Sequence, residues 1–397
     1  MEMKKIKVLA LMSFGHLVTH WYIGVLMIML PLIKQEFALS FTAVGLLSTL
    51  RSWTGAAGNT TSGFISDFLG RRNLILILCA FFAGLCWFLV GFSETYLAIF
   101  ILIPLADFFK NMWHAPAMSI LSEVYPERKG FALGFHGAAA NLGQSISPLV
   151  LGIMISYLGW RASIKMNIAP ALFLAILVAI FLHRLGTFSS KKKSVTEFKD
   201  LLKNDILKNR PLLFISLISA LRTMGQRGLE AFLGIYLSEQ MGLNTMWVGV
   251  YLSILSISGT FPEPIIGWVS DRIGRKSILW VNLTVSGFVL IALTMVNPGS
   301  PLILCLILLG LSHYSLRTII FSSALDVTPP AIGASTISYV FTWNHILSAI
   351  SPILAGVLAD ALGIRFAFYF IALITFIAAL LAYTLKPGKG RMDNGHS

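Results

Sequence analysis

The 397-residue chain is 56% apolar and only 12% charged, with a formal net charge of +13 and a mean hydropathy of +0.80. A soluble domain carries about 25% charged residues, so this chain has too little polar surface to face water on all sides, and the bilayer must be its solvent. Its three cysteines, Cys79, Cys86 and Cys305, all lie inside apolar runs, which excludes a disulfide framework or a cysteine-based zinc site.

The Lys4-Lys5-Ile6-Lys7 start leads into an apolar run too long for a cleavable signal core, so a retained first span is expected. One crossing needs about 20 apolar residues. On that measure spans are predicted near 8–33, 41–66, 73–92, 96–122, 131–157 and 161–185, then near 211–238, 246–270, 277–296, 300–325, 332–359 and 364–385. The fold class is therefore an all-α membrane protein of twelve transmembrane helices. Between the sixth and seventh spans lies the polar stretch 186–210, with Lys191-Lys192-Lys193 and a Phe198/Leu201/Leu202/Ile206 pattern. It reads as a linker with a short amphipathic helix on the membrane surface.

The chain repeats itself. Gly63-Phe64-Ile65-Ser66-Asp67-Phe68-Leu69-Gly70-Arg71-Arg72 returns as Gly267-Trp268-Val269-Ser270-Asp271-Arg272-Ile273-Gly274-Arg275-Lys276, an offset of 204 residues. At the same offset Ser147-Pro148 returns as Ser351-Pro352, Gly152 as Gly356, Gly159 as Gly363, Arg161 as Arg365, Pro126 as Pro330 and Val44-Gly45 as Val248-Gly249. Such a register implies duplication, and predicts a six-helix bundle over 1–185, a cytoplasmic linker over 186–210, and a second six-helix bundle with a short tail over 211–397.

Loop charge sets the orientation. With the N-terminus inside, the cytoplasmic segments hold 21 Lys and Arg residues and the opposite face three, Lys34, Arg161 and Arg365. Both termini are thus expected in the cytoplasm, in a multi-pass inner-membrane protein. The same asymmetry accounts for the basic charge without a nucleic-acid partner.

The doubled GxxSDxxGR hinge, after the second and eighth of twelve spans, resembles the major facilitator superfamily over the whole chain. The resemblance implies two pseudo-symmetric six-helix bundles around a cavity lined by spans 1, 4, 7 and 10, with alternating access by rocking of the halves. It also implies that the hinge residues Asp67, Arg71, Arg72, Asp271 and Arg275 act in the cytoplasmic gate, the Asp stabilising one gate state against neighbouring helices. The segment from Gly143 to Gly152 is similar to the fifth-span motif of drug/proton antiporters, although Ser147 stands where glycine is usual. Span 4 lacks the Arg-centred motif of those antiporters. The run Tyr125-Pro126-Glu127-Arg128-Lys129-Gly130, with Leu158-Gly159-Trp160-Arg161, is closer to organic-anion carriers of the superfamily.

Within the spans fall six basic residues, Arg51, Lys110, Lys165, Arg222, Arg227 and Arg317, and three acidic ones, Asp107, Glu230 and Glu263. An uncompensated charge at mid-bilayer costs roughly 2.5–3.5 kcal/mol, so these groups must pair, snorkel or line a wet cavity. Arg51 and Lys165, near span ends, have the simplest structural explanation. In span 4, Asp107, Lys110, Asn111, His114 and Met118 share one helical face; the i,i+3 pair Asp107/Lys110 fits a structural ion pair as well as a functional one. Span 7 offers Arg222, Gln226 and Glu230 at i+4 steps with Arg227 alongside, and span 10 offers His313, Tyr314 and Arg317. Glu263 sits between Pro262 and Pro264 in a locally broken stretch, as a conformational element or a proton site. His136, Asn141, Gln144, Asn344 and His345 are hydrogen-bonding candidates. Trp21, Tyr22, Tyr339 and Trp343 are better explained as packing or interface anchors. His16 and His20 are spaced for a metal, but the sequence shows no third ligand nearby, so no metal or other cofactor is expected.

No glycine-rich nucleotide loop or hydrolase triad is present, so the chain is expected to be no enzyme and to draw on a gradient. The excess of buried bases predicts a monomeric, proton-coupled carrier of a small organic anion. Its expected substrate contacts are Arg222, Arg317, Lys110, Arg51, His313, Gln226, Asn344, His345, Asn141 and His20, and its proton sites Glu230, Asp107, His114 and Glu263. The alternative is proton-driven efflux of drugs or antibiotics. A membrane sensor on the same fold is disfavoured by the short loops.

Overall fold

Helices occupy all twelve predicted stretches in the computed structural model, which describes residues 2–69, 72–183, 208–329 and 333–385. In chain order these are α1 (Glu2–Glu36), α2 (Phe41–Leu69), α3 (Arg72–Val90), α4 (Tyr96–Asn111), α5 (His114–Val124), α6 (Lys129–Met166), α7 (Ile168–His183), α8 (Arg210–Ile235), α9 (Thr245–Thr260), α10 (Glu263–Ile273), α11 (Arg275–Leu293), α12 (Ser300–His313), α13 (Arg317–Asp326), α14 (Gly333–Ser348), α15 (Ser351–Leu362) and α16 (Ile364–Thr384). No strand occurs among the described residues. Among the described residues, eight helical stretches are long and apolar enough to cross a membrane. The spans outside that set are those loaded with polar residues or broken by proline, such as α8 with Arg222, Arg227 and Glu230. Most of the predicted linker, and Arg71 and Pro330 of the repeat, lie outside the described residues.

Spans 4, 8, 10 and 11 each fold as two helices, and three of these breaks have one cause. A proline cannot donate to the carbonyl four residues back, and its ring crowds that carbonyl. Pro116 faces the break at Met112-Trp113, Pro264 the break after Thr260, and Pro352 the break after Ser348. Span 10 instead passes through a 3₁₀ turn at Tyr314–Leu316, where Gly259 of α9 packs so closely that an added Cβ would sit 2.3 Å from Tyr314 Cβ. The predicted boundary between spans 5 and 6 is a kink inside α6 at Gly159, φ +74°. Its repeat partner Gly363, φ +97°, separates α15 from α16.

The described residues of Met1–Lys192 with Leu233–Ser256 form one compact unit, and those of Lys193–Phe232 with Ile257–Ser397 a second. In the first, α1 lies along α6, and a Cβ on Gly143 would meet the Leu17 carbonyl oxygen at 2.1 Å. Helix α2 crosses α4 through Gly55 and Gly58, the latter against the Phe108 carbonyl oxygen. The Tyr22 hydroxyl donates to the Asn167 carbonyl and the Trp21 indole to the Asn167 side chain, tying α1 to the α6–α7 turn. Both aromatics are thus anchors, as expected. In the second unit, Leu212, Ile215 and Ile218 of α8 join Leu279 and Leu283 of α11, Ile319 and Ile320 of α13, and Ala378 and Ala382 of α16 in one apolar core.

The duplication is visible as a repeated helix crossing. Gly24 faces the Ser147 hydroxyl beside Pro148, and Gly228 faces the Ser351 hydroxyl beside Pro352, each pair related by the 204-residue offset. Gly55 and Gly259, also one offset apart, meet the broken spans 4 and 10 at Asn111 and Tyr314. Because a Cβ at Gly58 would meet backbone rather than a movable side chain, Gly58→Ala is expected to destabilise the protein by about 1–3 kcal/mol, the cost of overpacking. Gly137→Ala, where nothing lies within 4 Å, should leave stability unchanged or slightly raised. Thermal unfolding of the detergent-purified variants measures both.

Candidate functional site

In the first unit three ionised side chains meet where α2 approaches the end of α4. Arg51 Nε donates to Asp107 Oδ2 at 2.9 Å and Lys110 Nζ lies 2.8 Å from Asp107 Oδ1. All three are buried. Arg51 reaches the carboxylate because Gly55, one turn further along α2, admits Asn111, whose amide donates to the Asp107 carbonyl at 2.7 Å. The expected i,i+3 pair is thus present, and Arg51, read as a span-end residue, is part of it. Two cations sharing one carboxylate leave this triad formally positive. Lys165 does have the simpler explanation: its ammonium lies 3.9 Å from the centroid of the Phe92 ring, a cation–π contact.

The second unit gathers the span 7, 8 and 10 candidates. Glu230 is buried and held by Arg227 NH1 at 2.9 Å and by the Gln226 amide at 2.9 Å. Glu263 opens α10, as expected for a broken span 8; it pairs with Arg317 at 3.6 Å and accepts from the Thr318 hydroxyl. Arg222 differs from the other cations. It is buried, and its guanidinium donates to the His313 carbonyl at 3.0 Å and to the Thr223 hydroxyl at 3.3 Å, while its Nε has no hydrogen-bond partner. His313 returns a ring contact to the Arg222 carbonyl at 3.1 Å. Arg317, Glu263, Tyr314 and Glu230 all lie within electrostatic reach of Arg222, and Arg227 within reach of His345. Three arginines against two glutamates again leave the group formally positive. Asn344 is buried with its Oδ1 lacking a hydrogen-bond partner, and His345 stacks on Phe341. Asn141 lies on α6, where its carbonyl accepts from Ser145. Thr223 and Thr318 were not singled out in the sequence. Each directly follows an intramembrane arginine, and that adjacency is the signal that would have found them.

His20 and His114, expected as a substrate contact and a proton site, lie together with His16. One ring nitrogen from each of the three lies within 4.8 Å of the other two. The third histidine beside the His16/His20 pair, which the sequence did not reveal, is therefore His114, which the span 4 break presents to α1.

At the hinges an arginine reaches the far end of the next-but-one helix. Arg72 pairs with Glu123 at 2.6 Å, and Arg275 with Asp326, both 51 residues apart. Asp271 pairs with Arg275 one turn on, at 3.2 Å, so in this copy the arginine carries the contact to a neighbouring helix. The side chain of Asp67 and all of Arg71 lie outside the described residues.

This architecture, a duplicated set of twelve helical stretches with charges at helix breaks, matches the model of the Major Facilitator Superfamily over residues 12–346 and 263–395. The chain belongs to the Major Facilitator Superfamily. It is a multi-pass membrane transporter of that family. Among its relatives are the multidrug resistance protein MdtG of Proteus mirabilis, 24% identical over 93% of each chain, and the fosmidomycin resistance protein of Escherichia coli, 21% identical over 95% of this chain and 92% of that one. Solved structures with the same fold include a bacterial homologue of the human lysosomal transporter Spinster, inward-facing and unoccupied, with a TM-score of 0.83 at 15% identity over 96% of each chain. The nucleoside transporter NupG superimposes with a TM-score of 0.76 at 13% identity, over 96% of this chain and 100% of that one.

Removing the carboxylate from the Arg51–Asp107–Lys110 triad takes from two buried cations the counter-charge they share, which costs roughly 3–5 kcal/mol. Asp107→Asn is therefore expected to be strongly destabilised in thermal unfolding. Asp107→Asn combined with Lys110→Met should recover part of the loss, since one of the two cations is removed.

Proposed function

We propose that the protein is a secondary transporter of a small organic anion, coupled to protons and working by alternating access. Arg222 carries this reading. A guanidinium buried with a carbonyl and a hydroxyl as its hydrogen-bond partners, and with Glu230 and Glu263 held by other arginines, pays desolvation without a directly paired carboxylate among the described residues, and a carboxylate, phosphate or sulfonate would supply one through paired hydrogen bonds. Arg317, His313, Gln226, Asn344 and His345 stand as further contacts in the same unit, and Lys110, Arg51, Asn141 and His20 in the other. Glu230, Asp107, His114 and Glu263 are the candidates for the coupling proton. The names of the relatives MdtG and the fosmidomycin resistance protein support a second reading, export of a drug or antibiotic from the cell. An anionic drug would satisfy both. In either case the protein is placed in the inner membrane, as a monomer with both termini in the cytoplasm.

The test is uptake of a panel of labelled organic anions into proteoliposomes. Losing charge-assisted hydrogen bonds worth about 1.5–3 kcal/mol predicts that Arg222→Met transports the accepted anion at least about tenfold less well. The same variant should be as stable as wild type or more so, because it removes a buried charge. Equal transport of every anion by Arg222→Met would overturn the anion reading. Unchanged drug sensitivity on both deletion and overexpression would remove the efflux reading.

The hinge arginines are proposed to hold one gate state through their pairs with Glu123 and Asp326. Exposed pairs contribute about 0–1 kcal/mol to stability, so Arg275→Asp should unfold near the wild-type temperature yet lose transport. The reciprocal pair Arg275→Asp with Asp326→Arg should regain transport if the contact gates, and remain inactive if it does not.

A further inference from the structure

Four histidines from three helices converge in the first unit; the anion reading uses His20 and His114 singly and gives no reason for the convergence. His16 and His20 lie one turn apart on α1, His114 opens α5, and His136 lies on α6. The His16 ring centroid is 4.7 Å from that of His20, 5.0 Å from that of His114 and 3.9 Å from that of His136. Two close crossings create the cluster. Gly15 is packed flat against the Trp113 ring, where a Cβ would overlap at 1.8 Å, so the residues that follow each of them, His16 and His114, are brought into edge-to-face contact. Gly143 on the Leu17 backbone draws the preceding turns of α6, with His136, onto the same point of α1.

The protonation pattern within the cluster suits a cation. His16 Nδ1 lies 2.8 Å from the His136 carbonyl oxygen. A carbonyl can only accept, so Nδ1 carries the hydrogen and Nε2 presents its lone pair. Metal-binding histidines are commonly oriented by this kind of outer contact. His136 is stacked on His16 with 20° between the planes and is only 2% exposed, so its ring and its carbonyl together fix the orientation of His16. Imidazole nitrogens without a carboxylate among them favour zinc, cobalt, nickel or copper over magnesium and calcium. At metal–nitrogen distances of about 2.0–2.1 Å, tetrahedral ligand atoms lie about 3.4 Å apart. The 4.8 Å limit on the present separations is within reach of that by small ring rotations.

We propose that His16, His20 and His114 form a binding site for one divalent first-row transition metal ion, with His136 orienting His16 from α6. The ion joins α1 to α5, the half of span 4 beyond its break. The inference rests on this geometry alone, independent of which solute is carried.

Titration of the full-length, detergent-purified protein, free of any polyhistidine tag, with cobalt(II) tests it. One equivalent is expected to bind, with the intense visible absorption of a tetrahedral cobalt site, and to be displaced by zinc(II). Magnesium or calcium at the same concentration should neither bind nor displace it. His16→Ala, His20→Ala and His114→Ala should each weaken cobalt binding at least about tenfold, in line with the sensitivity of such sites to their surroundings. His183→Ala, outside the cluster, should bind as wild type. Zinc should raise the unfolding temperature of the wild-type protein and not that of the variants. If the wild-type protein takes up no cobalt, the proposal fails outright whether or not any variant folds. It also fails if folded His16→Ala and His114→Ala bind cobalt as the wild type does.

Discussion

A charge taken out of water has to find an opposite charge or a set of dipoles, and that requirement governs how these helices are arranged. Asp107 is the clearest instance. It lies on α4 between its own Lys110 and Arg51 of a different helix, and a carboxylate serving two cations ties α2 to α4 at one point. The contact is possible only because Gly55 and Gly58 remove the side chains that would hold the two backbones apart. Glycine supplies the approach, and the ion pairs make the approach specific.

The broken helices follow the same logic. A helix end carries partial charge, positive at the N-terminus and negative at the C-terminus. Lys110 lies in the last turn of α4 and Glu263 in the first turn of α10, so each faces the end of opposite sign. Arg317 starts α13, an end that repels it, and Glu263 beside it offsets that repulsion. The break after His313 also frees a carbonyl that would otherwise be spent inside a helix, and Arg222 takes it. Prolines and a 3₁₀ turn in mid-span are thus sources of polar groups at depths where none would otherwise be available.

What could be read from the sequence follows from how local each interaction is. The spans, the repeat, the hinge and the break at Glu263 were all visible, since each depends on a run of neighbouring residues. The Asp107/Lys110 and Arg227/Glu230 pairs were also within reach, because helical spacing alone puts i and i+3 together. Arg51 with Asp107 and His114 with His16 were not, because each depends on where two helices cross. The crossings did leave a trace. Gly24 and Gly228 stand at the repeat offset, as do their partners Ser147 and Ser351.

The duplication also separates the residues that build the fold from those that distinguish the two halves. Shifted by 204 residues, the crossing glycines Gly24 and Gly55, the Ser147-Pro148 pair and the positive-φ Gly159 find counterparts in Gly228, Gly259, Ser351-Pro352 and Gly363, whereas Gly58 falls on Pro262 and Gly143 on Leu347. The buried charges of the two clusters find none. Asp107 corresponds to Leu311, Lys110 to Tyr314, Arg222 to Val18, and His114 to Thr318. Groups present in one copy alone mark where the two halves have diverged. Arg222, the Asp107 triad and the histidine cluster are all of that kind, which accords with the proposed roles in binding a solute or an ion, while Gly24, Gly55 and their counterparts keep the shared architecture in both halves.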